Sequence, residues 1–287
     1  MRILLSFVAI ALSLNSYARE SQAVKTKSGP VSGTITRRGV EYLGIPYAQA
    51  PKGELRFRPP VPVSPWNKVF RADRYGNPCP QLSPLLKRFI GDEDCLNLNV
   101  WKPHQKTNQP LPVMVFIHGG ANSLGASNQE IMGNNLYDGK YLSSQGPAIV
   151  VSLNYRLGTL GFLSHPELSK ESGYGGSGNY GIMDQILALK WVKENIASFG
   201  GDPNKVMIFG QSGGGRKVGT LLGMPSAKGL FHRAVIESGA TITLVEREQA
   251  TRVAERLLSK LQLGRNEARE MQKMPLAKIG GEWKMVK

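Results

Sequence analysis

One stretch constrains this chain more than any other: Val206-Met207-Ile208-Phe209-Gly210-Gln211-Ser212-Gly213-Gly214-Gly215. An apolar run fit for a buried strand stops at Gly-x-Ser-x-Gly and passes into a helix-compatible segment, the pattern of a tight elbow that lifts a serine clear of a sheet. The backbone of such an elbow tolerates only small residues two before and two after the serine, and Gly210 and Gly214 occupy those places. A helix running from about Gly213 through Arg216, Val218 and Leu221 aims unpaired N–H groups at the serine, where a negative charge developing on oxygen uses them. Ser212 is the candidate nucleophile. Taken alone, the pattern also fits an ordinary glycine-rich turn between strand and helix, and the rest of the chain decides between the two.

With 287 residues, 41% of them hydrophobic and 20% charged, the chain is long enough to bury a sizeable core as one large domain or two small ones. Residues 1–18 read as a charged start, an apolar run from Ile3 to Leu14 and the small-x-small sequence Ser16-Tyr17-Ala18. That is a signal peptide cleaved after Ala18, since the apolar run falls short of the ~20 residues that cross a bilayer. Export implies a secreted or periplasmic protein, and an oxidising compartment turns Cys79 and Cys95 into one short-range disulfide. No Cys/His cluster has metal-ligand spacing, and no cofactor is called for. The formal net charge of +15 raises nucleic acid as a partner, but the basic residues are scattered, in pairs such as Arg37-Arg38, Lys87-Arg88 and Arg216-Lys217. A solvated basic surface accounts for them better, with loose adhesion to an anionic envelope as the remaining alternative.

Along the chain, Ala23–Lys27 and Val31–Thr36 suggest a peripheral hairpin. The prolines between Tyr42 and Trp66 suggest an ordered loop wrapped on the surface. Glu93 to Val100 alternates apolar and polar residues as a strand does, while Leu111–Ile117 and Ala148–Leu153 are continuous apolar runs that read as buried parallel strands. Ile182, Ile186, Leu189, Val192 and Ile196 recur at helical spacing before the Val206–Phe209 strand. His232–Ile236 supplies another strand, and Val245 to Leu261 another helix, with Leu257, Leu258 and Leu261 on one side. Strands alternating with helices predict an α/β protein with a mostly parallel, doubly wound sheet.

A second glycine-rich turn, Ile117-His118-Gly119-Gly120-Ala121, directly follows an apolar strand, as a loop that donates N–H groups to an oxyanion should. Two matching turns at the ends of two parallel strands argue against an accidental glycine turn. With Gly44-Ile45-Pro46-Tyr47-Ala48, Leu55-Arg56-Phe57, Glu93-Asp94-Cys95-Leu96-Asn97-Leu98-Asn99, Asn154-Tyr155-Arg156, Gly178-Asn179-Tyr180-Gly181, Asp184-Gln185 and Phe209-Gly210-Gln211-Ser212, the chain closely resembles the type-B carboxylesterases, α/β-hydrolases that include the cholinesterases. The resemblance implies hydrolysis of small-molecule carboxylic esters through an acyl-enzyme on Ser212, with the N–H groups of Gly120, Ala121 and Gly213 as the oxyanion hole. It also implies a Cys79–Cys95 disulfide and the loop-fastening ion pairs Arg56–Glu93 and Arg156–Asp184. Three residues depart from the family's pattern: Gln211 replaces the usual Glu before the nucleophile, Gly213 the usual Ala after it, and Asn122 stands where an aromatic is common.

In this fold the triad follows the order Ser, Asp or Glu, His. The only histidine after Ser212 is His232, and no Asp or Glu lies between Gly213 and Phe231, so that order is not met. His232 reads as a structural histidine at a strand entrance. The family places its acid and histidine farther on, so residues 19–287 are expected to form the first part of a longer hydrolase domain, by truncation or frameshift. A non-catalytic binding relative and a pseudoenzyme are the competing readings. The intact glycine turns argue for the hydrolase, because a binding module has no need of them.

Overall fold

The computed structural model describes residues 19–83, 86–105, 108–240 and 244–283. The leader expected at residues 1–18 lies outside them. Eight strands form the central sheet: β1 (Arg19–Glu20), β2 (Thr34–Ile35), β3 (Gly39–Pro46), β4 (Asn97–Pro103), β5 (Leu111–Ile117), β6 (Ile149–Leu153), β7 (Gly201–Gln211) and β8 (Arg233–Glu237), in the order β1-β2-β3-β4-β6-β5-β7-β8. The β6-β5-β7-β8 pairings are parallel and those from β1 to β6 antiparallel, so six of the eight strands point one way. The sheet is therefore mixed and mostly parallel, as the strand–helix alternation predicts.

The apolar runs fill the middle of this sheet. Val113, Val115 and Ile117 of β5, Ile149, Val151 and Leu153 of β6 and Val206 and Ile208 of β7 are buried in one core. After the short helices α1 (Lys140–Gln145), α2 (Gly158–Phe162) and α3 (Pro166–Lys170), the helix α4 (Tyr180–Asn195) lays Ile182, Ile186, Leu189 and Val192 on that core, and Ile196 follows in a short 3₁₀ turn. A smaller core gathers Phe57, Leu160, Leu163 and Met271 around Leu257, Leu258 and Leu261, from and just beyond the helix α6 (Arg247–Lys260). Among the described residues no helix is long and apolar enough to cross a membrane.

Two boundaries differ from the sequence reading. Tyr42–Pro46 is not loop: it belongs to β3 and pairs with β4. No proline interrupts Gly39–Ile45, Pro46 only closes the strand, and the ladder slips between Tyr42 and Ile45 where Gly44 takes φ +72° beside the Arg74 carbonyl. The strand anticipated from Glu93 starts instead at Asn97, because Glu93 is held by Arg56 and Cys95 by Cys79. The hairpin forms between Val24–Lys25 and Pro30–Ser32, while Thr34–Ile35 crosses into the central sheet.

The disulfide joins Cys79 to Cys95 across a Cα–Cα distance of 4.9 Å, with no free cysteine among the described residues. Arg56 holds both oxygens of Glu93 at 2.7 and 2.6 Å and donates to the carbonyls of Met271, Gln272 and Met274. Arg156 holds both oxygens of Asp184 at 2.9 and 2.7 Å and donates to the Arg58 carbonyl. Both pairs thus fasten loops, the role the resemblance implies.

Candidate active site

The site is built where β7 ends. Ser212 takes φ 55° and ψ −120°, a conformation L-residues rarely adopt, and the helix α5 (Gly213–Leu222) starts directly after it. The Ser212 N–H donates to the Glu237 carbonyl at 2.8 Å, and its carbonyl receives the Arg216 N–H at 3.0 Å, so β8 and α5 hold the elbow from both sides. A Cβ on Gly210 would stand 2.7 Å from both Gly214 C and the Ile117 carbonyl, and one on Gly214 would run into the Ile117 carbonyl. The elbow therefore needs glycine at both places to let β7 turn sharply against β5.

The parallel pairing of β5 with β7 sets Ile117 opposite Gly210, so the glycine turn after β5 lies beside the serine. A Cβ on Gly119 would be 3.6 Å from the Ser212 Cβ, and one on Gly213 would be 2.7 Å from Ala121 N and 3.4 Å from Gly120 N. The backbone nitrogens of Gly120, Ala121 and Gly213 are thus brought together next to Ser212. At Gly213, glycine lets the loop approach more closely than the family's usual alanine would. A cleft of about 310 Å³ opens here, lined by Ala121, Asn122, Ser212, Arg216, Ser238 and Gly239 among others. A larger cavity, about 380 Å³, lies behind the loop against Leu124, Leu157 and Phe89 and is not lined by Ser212.

His118 anchors this loop. Its ring stacks on Tyr155 with centroids 4.3 Å apart, its Nδ1 lies 2.9 Å from the Gly119 carbonyl, and the Tyr155 hydroxyl donates to the His118 carbonyl at 2.7 Å. Burial pushes its pKa down to about 3, so the ring is neutral and serves as structure. His232 sits beside the middle of β7, away from Ser212, with its Nδ1 accepting from the Val206 N–H at 3.2 Å. Six residues of strand, about 20 Å, separate Val206 from the serine, so His232 cannot be its base. The other two histidines are also engaged elsewhere, His104 at the Thr36 carbonyl and His165 capping the Glu167 N–H.

The sequence reading of Arg216-Lys217 as a solvated pair is half wrong. Arg216 is exposed at the cleft, but Lys217 is only 2% exposed and turns into the protein. Its Nζ donates to Asn122 Oδ1 at 2.5 Å and to the Gly213 carbonyl at 3.2 Å, with the Tyr155 and Phe162 rings 5.0 and 5.7 Å away. The usable signal was helical spacing: Lys217 follows Gly213 by one turn and precedes the core residues Val218 and Leu221.

The carboxylesterase family model matches residues 20–278. Over 236 residues the chain is 47% identical to para-nitrobenzyl esterase of Bacillus subtilis (strain 168), covering 80% of this chain and 46% of that one. Over 217 residues it is 44% identical to fumonisin B1 esterase of Sphingopyxis macrogoltabida, covering 74% and 39%. The solved structure of a thermophilic PNB esterase superposes with a TM-score of 0.83 at 43% identity, over 92% of this chain and 54% of that one. The chain therefore spans about half the length of the relatives it matches or less. With a family model matched across nearly all of its described residues and an elbow serine set in that family's sheet, the chain belongs to the carboxylesterase family.

Proposed function

We propose that this chain carries the nucleophile and oxyanion hole of an exported serine carboxylesterase. The observation that bears most weight is the elbow: Ser212 is held at φ 55° at the head of α5 with the nitrogens of Gly120, Ala121 and Gly213 beside it. In the proposed reaction the Ser212 hydroxyl attacks the ester carbonyl and the three N–H groups stabilise the charge on the carbonyl oxygen. The alcohol leaves, and water then releases the acid from the acyl-enzyme. The base that takes the serine proton, and the acid that orients it, come in this reading from a segment outside these 287 residues, and residues 19–287 form the first part of one α/β-hydrolase domain. The histidines engaged elsewhere and the share of the relatives' length that the chain spans support this. Arg216 at the cleft mouth and Gln211 in place of a glutamate favour neutral or anionic esters over cationic ones.

The test is hydrolysis of p-nitrophenyl butyrate and labelling by a fluorophosphonate, for residues 19–287 and for the full-length protein, each beside Ser212→Ala. Loss of a triad histidine costs about 10⁶ in kcat in a comparable serine hydrolase. Residues 19–287 alone should accordingly show almost no turnover, and the full-length protein a turnover that Ser212→Ala abolishes. Ordinary esterase rates from residues 19–287 would overturn the missing base. An active full-length protein indifferent to Ser212→Ala would overturn the nucleophile, and a full-length protein with no esterase activity would favour a pseudoenzyme.

A further inference from the structure

Lys217 is a buried cation that makes no salt bridge among the described residues. An ammonium taken out of water is costly, and the faces of Tyr155 and Phe162 offset only part of that cost. A methionine would fill the same space without the penalty, since replacing a buried charge by an apolar side chain of similar volume is often neutral or stabilising. What a methionine could not do is donate hydrogen bonds. The two that Lys217 donates go to opposite limbs of the site: Asn122 Oδ1, on the loop after β5, and the Gly213 carbonyl, on the first turn of α5.

The loop limb needs such a tie. Ala121 and Asn122 both sit at positive φ, 51° and 64°, a conformation that costs free energy in residues with a side chain and holds only where the surroundings enforce it. The Asn122 carbonyl is fixed by the Gly158 N–H at 2.6 Å, and its side chain by Lys217. Lys217 thus bridges the loop that carries Ala121 N and the helix turn that carries Gly213, adding a side-chain tie to the β5–β7 pairing beneath them.

We propose that Lys217 is a positioning residue for the hydrolysis: by donating to Asn122 and to Gly213 at once, it sets the separation of the two limbs of the oxyanion hole and places a positive charge behind it. This rests on the reading of Ser212 as the nucleophile. The charge is tunable. Burial, and secondarily Arg216 on the same helix, push the Lys217 pKa down to about 7. The groups facing it from the other elements are His118, kept neutral by its burial, and Tyr155, whose phenol burial keeps protonated, while Phe162 carries no charge. The ammonium is therefore present at pH 6 and lost as pH rises through 7, while the unfolded lysine stays charged until about 10.5. Between those values the unfolded chain binds more protons, so the penalty of the buried charge is full below pH 7 and fades as pH rises.

The test compares the wild-type full-length protein with Lys217→Met, Asn122→Ala, the double variant and Ser212→Ala, by p-nitrophenyl butyrate kinetics from pH 6 to 9 and by thermal melting. Loss of an oxyanion donor outright costs about 10²–10³ in kcat, so loss of its positioning should cost at least about tenfold at pH 6, with KM within about twofold. Asn122→Ala should show a similar loss, and the double variant no more than the worse single one. The ratio of wild-type to Lys217→Met kcat should shrink toward pH 9, which cancels the titration of the base common to both. Lys217→Met should melt no lower than wild type, with any gain largest at pH 6. A folded Lys217→Met with wild-type kcat, additive losses in the double variant, or a lower melting point with kcat and KM shifted together would each overturn the clamp. Should Lys217→Met fail to fold, Asn122→Ala decides: unchanged kcat overturns the proposal, and a pure kcat loss supports it. Wild-type turnover that survives Ser212→Ala overturns the nucleophile reading, an outcome separate from a Ser212-dependent enzyme indifferent to Lys217.

Discussion

A buried neutral imidazole and a buried ammonium both lie against the Tyr155 ring, and because burial lowers both pKa values each makes the fold more stable as pH rises, in its own pH window. For His118, burial is the larger cause of the fall from 6.5 to about 3, opposed by the hydrogen bond to Gly119 and aided by Lys217. The sign follows from proton counting. Between pH 6.5 and 3 the unfolded chain binds a proton that the folded ring refuses, so the stability contributed by the neutral ring is complete above pH 6.5 and is lost as pH falls toward 3. Replacing His118 by Phe keeps the stack on Tyr155 and removes the titration. The variant's stability curve, followed by urea unfolding between pH 7 and 4, should be flatter than that of wild type, and equal slopes would contradict the assignment. Ser212, Gly210, Gly214 and the glycine turn were legible because their requirement is local: a given backbone conformation or close approach admits few residue types. Lys217 was missed because a count of basic residues carries no information about which side of α5 faces the core, which only its helical spacing to Val218 and Leu221 signals.

Among the elements, α4 shows how a loop after one strand is tied to the layer beside it. Asp184 is fully buried in the helix and accepts from Arg156, on the segment following β6, through the guanidinium and through the backbone N–H at 2.9 Å. Removing the carboxylate leaves a guanidinium that is 2% exposed without its counter-charge. Asp184→Ala should cost about 3–5 kcal/mol in denaturant unfolding, whereas breaking the surface pair Lys170–Glu167 should cost far less. A small effect at Asp184 would mean that water reaches the pair. The helix itself was readable from Ile182, Ile186, Leu189 and Val192, since spacing and burial coincide along one face. The start of β4 and the strand character of Tyr42–Pro46 were not, because Cys79, Arg56 and the pairing of one strand with the other, all distant in the chain, decided those boundaries.

At the scale of the molecule, β8 is the last strand in the sheet order and pairs only with β7 among the described residues. Its side chains are half-buried or exposed throughout, Val235 is 39% exposed, and Leu244 and Val245 beyond it are 81% and 67% exposed. An edge strand with open backbone groups and bare apolar side chains is a template for pairing with another strand. Residues 19–287 expressed alone should associate, and Val235→Lys should reduce the association, measured by static light scattering or sedimentation. A monomeric chain that melts cooperatively without the substitution would show that the edge is benign.

What the sequence determined by itself was the chemistry available at a point: a serine in a turn that only small residues permit, two cysteines with no other partner, and apolar runs of strand and helix period. Those are properties of a residue and its immediate neighbours, set by sterics and by the repeat of the backbone. The tertiary structure alone decided what meets at that point. The nitrogens of Gly120 and Ala121 reach Gly213 because β5 and β7 are adjacent parallel strands in register, and Lys217 becomes a tie between them because α5 packs that face inward. Such meetings depend on strand order and on which helix face is buried. Both are fixed by the free energy of the whole core and by no single stretch of chain.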